Sequence, residues 1–491
     1  MTTKLYAPKV YLFAFHLFKT PDVDGNVSIK DPDLLWDKCH DIFAKFHIKE
    51  QLNLHPPQPH NDRFDLLDGA KPNDFVLPIH TEISYKNTDL KLEGFAYPLQ
   101  LYDSYGLGLN LGCPDPPLNN GHKIQPVDSS VLEALNPDYC FLPDTIQSYF
   151  GQTVIITALL SDNQKRQGDK FLEELADECI REFAYDPHKR PELYRKGQLF
   201  GSPIFEYGLI STPNTYRHIL VWLFSDPVTD TKFQEGYQLL LDLFFYRNKV
   251  ITEFRHSRDT YTDAYQAYKH IQHLIRQTFN QLPQTTDTLD EKSLKYLKGQ
   301  LKEMAKQTVE YSDLLRDLES RRNSIAINAD NYNTKLQLIQ NKFTLDKDKD
   351  ISFLDSFYRE NCQVFQEQIQ GDLGYFVPGA NLLEKAISSI RGIVEIDQAQ
   401  RDRIREDQDK TREQEEKDRD YRLERTIQVL GIGLGTGGLV ASSFNHIDKP
   451  LLPPFSTNKP HPVISTFFWS VLAALLAGLA TWWITKQKTR T

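Results

Sequence analysis

Few residues in this 491-residue chain are spaced for chemistry. His55 and His60 flank the prolines Pro56, Pro57 and Pro59 and stand close to Asp62. That donor set could hold a metal, but a polar surface loop is the preferred reading. His270 and His273 are one helical turn apart, but a facing pair without a third ligand makes no metal site. Asn328, Asp330, Asn331 and Asn333 surround Tyr332 and read as the wet face of a helix. There is no GxSxG, Walker A, HExxH or EF-hand pattern. The expectation is a protein that is not an enzyme, although a pocket assembled from distant positions leaves no mark on spacing.

Two other residue sets have physical consequences. Gly431, Gly433, Gly435, Gly437 and Gly438 form two overlapping GxxxG patterns, Gly431 with Gly435 and Gly433 with Gly437, inside an uncharged run. Missing side chains let a second helix approach closely, so these glycines are candidates for helix packing or pore lining. Gly433, Gly435 and Gly438 also fit GxGxxG, but no strand precedes them as a nucleotide loop requires. Immediately upstream, 19 of the 25 residues from Arg401 to Arg425 are charged, nine basic and ten acidic. Their i,i+4 spacing predicts four ion pairs: Glu406 with Lys410, Glu413 with Lys417, Glu415 with Arg419, and Asp418 with Arg422. Such a collar is either a solvated spacer or a charged vestibule lining an oligomer.

These sets need elements to carry them. Thr426–Phe444 is uncharged for 19 residues and Val463–Ile484 for 22, each long enough to cross about 30 Å of hydrocarbon as a helix. Phe467, Phe468 and Trp469 near one end of the second run and Trp482 and Trp483 near the other match interfacial aromatic belts. Basic residues gather before the first run, from Lys410 to Arg425, and after the second, at Lys486, Lys488 and Arg490. The positive-inside rule then predicts a plasma or inner membrane protein with both termini cytoplasmic. The loop 445–462 faces outward, and its His446, Asp448 and His461 are a weak candidate cation site in a stretch that also holds Pro450, Pro453, Pro454 and Pro460.

The averages hide this division. A pI near 5.8, a mean hydropathy of −0.50 and a net charge of −10 describe an acidic soluble protein. Residues 426–491 alone carry +4, which leaves −14 for residues 1–425. That acidic balance argues against nucleic acid as a partner, and the lipid bilayer is the partner expected instead. Five scattered cysteines without CxxC predict free thiols in a reducing compartment.

Residues 1–230 read as an α/β domain, a mixed sheet covered by helices. Strands are expected at Lys9–Phe18, Phe75–Ile79, Thr153–Leu160, Gly201–Tyr207 and Tyr216–Phe224, with helices at Asp33–Ile48 and Gly168–Ala184 and a loop over 53–73. Leu90–Leu111 alternates as a hairpin about a turn at Asp103–Gly106, with Phe95, Tyr97, Leu99 and Leu101 on one face and then Tyr105, Leu107, Leu109 and Leu111.

Residues 231–400 read as a helical coiled-coil stalk, followed by the charged juxtamembrane helix 401–425 and a two-helix transmembrane domain at 426–485. Phe254, Tyr261, Tyr268, Ile275 and Leu282 recur every seven residues, and after a break at Pro283–Asp287 the capping box Thr288-x-x-Glu291 opens the next helix. One seam of that helix is Leu297, Met304, Tyr311, Leu318, Ile325, Tyr332 and Ile339. The partner seam is Leu294, Leu301, Thr308, Leu315, Arg322, Ala329, Leu336 and Phe343. The two helices should lie antiparallel, and the charged helix should run unbroken into the first span.

An α/β domain, a helical stalk and two closely spaced C-terminal spans resemble the CorA family of divalent-cation channels. The stretch Leu314-Leu315-x-x-Leu318-x-x-Arg321-Arg322-Asn323-x-Ile325 through Tyr332 is similar to CorA stalk sequence. The resemblance implies a homo-oligomer of five subunits, a pore lined by the first span, a gating cytosolic domain, and divalent cations as permeant or regulatory ions. One departure is definite: where the family has Gly-Met-Asn this chain has Ser442-Ser443-Phe444-Asn445-His446, so no filter residue carries over. A membrane-anchored sensor or effector scaffold is the alternative.

Overall fold

The computed structural model describes residues 3–19, 31–58, 62–68, 75–114, 125–210, 216–282, 289–346, 350–444 and 462–488. Their elements are, in chain order, β1 (Lys4–Leu17), α1 (Leu34–Lys45), β2 (Arg63–Asp65), β3 (Leu77–Tyr85), β4 (Thr88–Leu101), β5 (Ser104–Gly112), β6 (Pro126–Asp128), β7 (Gly151–Leu159), α2 (Asp169–Phe183), β8 (Leu193–Leu199), β9 (Ser202–Tyr207), β10 (His218–Phe224), α3 (Pro227–Asn280), α4 (Glu291–Phe343), α5 (Gln363–Phe444) and α6 (Pro462–Lys488), with short helical turns between some of them. The chain divides into two compact units, one of residues 1–277 and 303–386 and one of 278–302 and 387–491.

In the first unit one sheet runs β2-β4-β5-β1-β7-β10-β9-β8, with β3 on β4 and β6 on β1. It is mixed as expected, since β7 and β10 are parallel and the other pairs antiparallel. Strand β1 shows how both faces are filled. Val10, Leu12 and Ala14 join the core beneath α1 and α2. The intervening Tyr11 and Phe13 meet Phe233 and Tyr237 of α3, and Phe15 meets Phe245. A strand buried on both faces has no polar alternation, which is why β1 reads as one apolar run.

The hairpin tightens the sequence reading. The turn is Tyr102-Asp103, with Tyr102 at φ +56°, and Ser104–Gly106 already belong to β5. This register sets Leu99 opposite Gly106 and Tyr97 opposite Gly108, so the row from Phe95 to Leu101 and the row from Tyr105 to Leu111 lie on opposite faces. A side chain at Gly106 would collide with Leu99, with its Cβ 2.8 Å from Leu99 Cδ2. The loop expected over 53–73 contains β2, and β1 begins earlier than expected, at Lys4.

Helix α3 leaves the sheet at Pro227 and forms a three-helix bundle with α4 and α5. Against α4 it is antiparallel as predicted: Lys342 Nζ donates to Glu235 O, Lys335 pairs with Asp242 at 2.8 Å, Arg321 with Glu253 at 3.1 Å, and Thr260 donates to Asp317 at 2.7 Å. The row of Phe254, Tyr261 and Tyr268 instead meets α5, where Phe254 stacks on Phe365 at 3.9 Å and Tyr261 approaches Phe376 at 5.3 Å. All seven members of the first α4 seam are buried to 2% or less. The partner seam is not a second buried stripe: Leu294, Leu301, Thr308, Leu315, Arg322 and Phe343 are half-buried, and only Ala329 and Leu336 are buried. With two neighbours flanking α4, a single central row is enclosed and its companion lies at the rim. Asn328 is buried rather than wet and donates to Ser324 O at 2.7 Å. The capping box falls partly outside the described residues, since Thr288 is among those not described; α4 is capped by Asp290, which accepts from Ser293 N at 2.9 Å.

In the second unit, Asp397 accepts from Leu289 N at 2.7 Å and pairs with Arg401 at 2.7 Å. From there α5 continues as one helix to Phe444, so the charged segment and the first apolar run are unbroken, as expected. Both C-terminal runs form helices long and apolar enough to cross a membrane.

Candidate functional site

The five span glycines separate into two groups. Gly433 and Gly437 are buried against α6: a Cβ at Gly433 would lie 3.1 Å from Ala474 O, and one at Gly437 would lie 3.0 Å from Ser470 O. A Cβ at either position would make the neighbouring helix give by a few tenths of an ångström, and Val429 completes the contact opposite Gly478. Gly431, Gly435 and Gly438 meet nothing within 4 Å. The two GxxxG patterns therefore do different things, one closing the hairpin and the other facing open space.

The open glycines do not stand alone on their face. Gln428, Gly431, Gly435, Gly438 and Ser442 are spaced by threes and fours, all five are exposed, and none belongs to the row of Val429, Gly433 and Gly437 that meets α6. Bulky apolar residues flank this small and polar stripe, Ile432 and Leu439 on one side and Leu430 and Leu434 on the other, all exposed. Arg425 at the head of the span donates to Trp482 O at 3.0 Å, and Lys486 lies 4.7 Å from the Trp482 ring centroid, which places two cations at one end of the hairpin.

The collar is exposed from Asp402 to Glu424. Two of its four expected ion pairs form: Lys410 with Glu406 at 2.8 Å and Lys417 with Glu413 at 3.9 Å. The other two correct the sequence expectation. Arg419 does not reach Glu415, and Arg422 does not reach Asp418; among the described residues neither pair closes to the 4.0 Å of an ion pair. All four pairs are exposed, where each gains only a few tenths of a kcal/mol, too little for i,i+4 spacing alone to close every one of them.

The histidine candidates do not converge. His55 lies 3.2 Å from Asp68, His60 is outside the described residues, and His270 and His273 are exposed on α3. Among the described residues no group of three or more His, Cys, Asp or Glu is placed to hold a metal ion. The loop residues His446, Asp448 and His461 also lie outside the described residues. All five cysteines are buried and none is in a disulfide. Burial pushes the thiols of Cys39, Cys140, Cys179 and Cys362 upward, away from reactive thiolate.

A second feature escaped the spacing argument, a buried polar centre where the sheet meets α3. Glu206 on β9 accepts from Arg247 of α3, and both are 3% exposed. His218 Nε2 lies 3.2 Å from Glu206, and its Nδ1 lies 2.8 Å from Thr153 Oγ1 on β7. Asn248 donates to Thr153 Oγ1 at 3.0 Å and to Phe244 O at 2.8 Å. The Arg247 guanidinium lies 4.1 Å from the centroid of Phe357, which packs on Tyr332 of α4 at 5.1 Å. Burial and the neighbouring Arg247 cation push His218 down to about 4, so it is neutral despite facing a carboxylate. Burial alone would raise Glu206; Arg247 and the His218 hydrogen bond outweigh it and hold the carboxylate at about 2. The signal was a charged residue inside an apolar run: Glu206 follows Ile204-Phe205, and Arg247 follows Leu243-Phe244-Phe245-Tyr246.

Compared with models of protein families, with curated proteins and with solved structures, the chain matches none of them.

Proposed function

We propose that the chain is a two-span membrane protein that assembles with copies of itself around the first span, forming a cation pore gated by its sheet-and-bundle domain. The observation that carries this reading is the small and polar stripe Gln428, Gly431, Gly435, Gly438 and Ser442, on a helix whose packing contact with α6 uses other residues. A lipid-facing helix has no use for such a face, whereas a helix bordering water or a close neighbour does. The exposed collar, with nine basic and ten acidic residues, then becomes a charged vestibule at the mouth of the pore. Flanking basic residues favour both termini on the cytoplasmic side. Five copies follow from the CorA resemblance alone. The test is reconstitution into liposomes: the reading expects an oligomer and cation flux that Gly435→Leu reduces, and a monomer that passes no ions overturns it.

A second reading is a membrane-anchored sensor or effector scaffold signalling through the stalk. What favours it is Ser442-Ser443-Phe444-Asn445-His446 in place of the Gly-Met-Asn filter. It expects an oligomer without flux.

A further inference from the structure

Every residue of α5 from Asp402 to Glu424 is exposed, and the charges of this stretch are not mixed evenly around the helix. Asp402, Glu406, Asp409, Glu413, Glu416 and Asp420 follow one another by fours and threes, which sets their carboxylates along one face. Beside this row stand Arg405, Arg412 and Arg419, seven residues apart and each three residues beyond an acid, at Asp402, Asp409 and Glu416. Three residues are about 60° around a helix and about 4.5 Å along it. On the other border of the acidic row, Lys410 and Lys417 are already paired with Glu406 at 2.8 Å and Glu413 at 3.9 Å. Asp402, Asp409, Glu416 and the three arginines form no ion pair among the described residues. The remaining face mixes both signs, with Arg403, Asp407, Glu415, Asp418 and Arg422, while Glu424 accepts from Gln428 at 3.3 Å and Arg401 is held by Asp397 at 2.7 Å. A helix alone in water gains from opposite charges one turn apart and loses from like ones, so an unbroken acidic row weakens it. Segregated rows are useful when a row of the opposite sign covers them.

We infer that the collar locks copies of this chain side by side, the Asp402, Asp409 and Glu416 row of one copy meeting the Arg405, Arg412 and Arg419 row of the next. This deepens the assembly proposed above and rests on it. Copies that share one membrane in one orientation are parallel, so the two rows stand within one helical turn of each other in height. Each copy then presents acids to one neighbour and arginines to the other, a head-to-tail contact that closes as a ring. Arginine suits such a contact, because its guanidinium takes a carboxylate through two parallel N–H donors. The occupant is a second copy because the chain is complementary to itself: both rows have three members with the same seven-residue repeat. A basic partner would cover the acids and leave the arginines, whereas a second copy uses both.

The experiment uses the full chain purified in detergent and follows particle mass. One triple variant carries Arg405→Glu, Arg412→Glu and Arg419→Glu; the other carries Asp402→Arg, Asp409→Arg and Glu416→Arg. Each sets like charge against like charge between copies, so each alone should fall at least about twofold in mass. A sixfold variant with both sets exchanges the rows, restores complementarity and should regain the wild-type mass. Co-expressed under two different affinity tags, the two triple variants should co-purify in particles larger than either forms alone, a recovery that ion pairing within one helix does not produce. Wild-type mass in either triple variant alone, no recovery in the sixfold variant, or no co-purification overturns the inference, and assembly through the first span stands as long as the wild type is an oligomer. A monomeric wild type overturns both.

Discussion

Arg247 of α3 and Glu206 of β9 meet in the interior, each 3% exposed, so the first stalk helix is tied to the sheet by an ion pair shielded from water. Removing one partner strands the other as a buried charge. Arg247→Met should destabilise the protein by about 3–5 kcal/mol. The double variant Arg247→Met with Glu206→Gln should recover much of that loss. Denaturant unfolding of the three proteins checks both statements.

Acid should act through the same centre. His218 has its pKa held at about 4 against an ordinary 6.5, so as pH falls below 6.5 the unfolded chain takes up a proton that the folded one refuses. Glu206 has its pKa held at about 2 against 4.5; its contribution is complete above 4.5 and disappears as pH falls toward 2. Both slopes have the same sign. The thermal midpoint should fall on acidification below about pH 6.5 and more steeply below about 4.5. In His218→Gln the difference from wild type should shrink between those values, and an unchanged profile would contradict the assignment.

The glycines give a prediction that distinguishes neighbours on one helix. Gly437→Leu drives a side chain into Ser470 O and Ala474 Cβ, 3.0 and 3.1 Å from the ideal Cβ, and should destabilise the hairpin by about 1–3 kcal/mol. Gly433→Leu should behave alike. Gly435→Leu meets nothing within 4 Å and should leave the hairpin intact while weakening any assembly that uses the open stripe. Thermal midpoint and particle mass in detergent, measured together, separate the two effects.

In the stalk, Leu318 is fully buried and Ile327 is 62% exposed. Leu318→Ala should cost about 2–5 kcal/mol through lost burial and a cavity. Ile327→Ala should stay within about 0.5 kcal/mol. Equal effects in unfolding experiments would mean that the seam is not the core.

Much of this architecture was legible because it is periodic. The α4 seam from Leu297 to Ile339 repeats every seven residues and is buried throughout. The β4–β5 hairpin alternates every two, and only its turn was displaced, because Tyr102 takes a positive φ and closes the turn before Ser104. Strands β2 and β6 have three residues each, too few to show a period, and the edge strand β8, LYRKGQL, is polar. The partner seam misled because heptad spacing does not reveal that a third helix, α5, shares the bundle. In the collar, spacing put Arg419 near Glu415 and Arg422 near Asp418, but spacing alone does not hold an exposed arginine on its neighbour. The polar centre was invisible for a different reason: Thr153, Glu206, His218 and Arg247 are far apart in sequence and converge only when β7, β9, β10 and α3 assemble.

The pore reading depends most directly on which face of the first span meets water. The five native thiols are buried, so single cysteines placed from Gln428 to Ser442 can be probed in lipid with a small water-soluble thiol reagent against a low background. The account predicts labelling at Gln428, Gly431, Gly435, Gly438 and Ser442 and protection at Leu430, Ile432, Leu434 and Leu439. Uniform protection of the glycine stripe, or labelling that ignores the helical repeat, would contradict it.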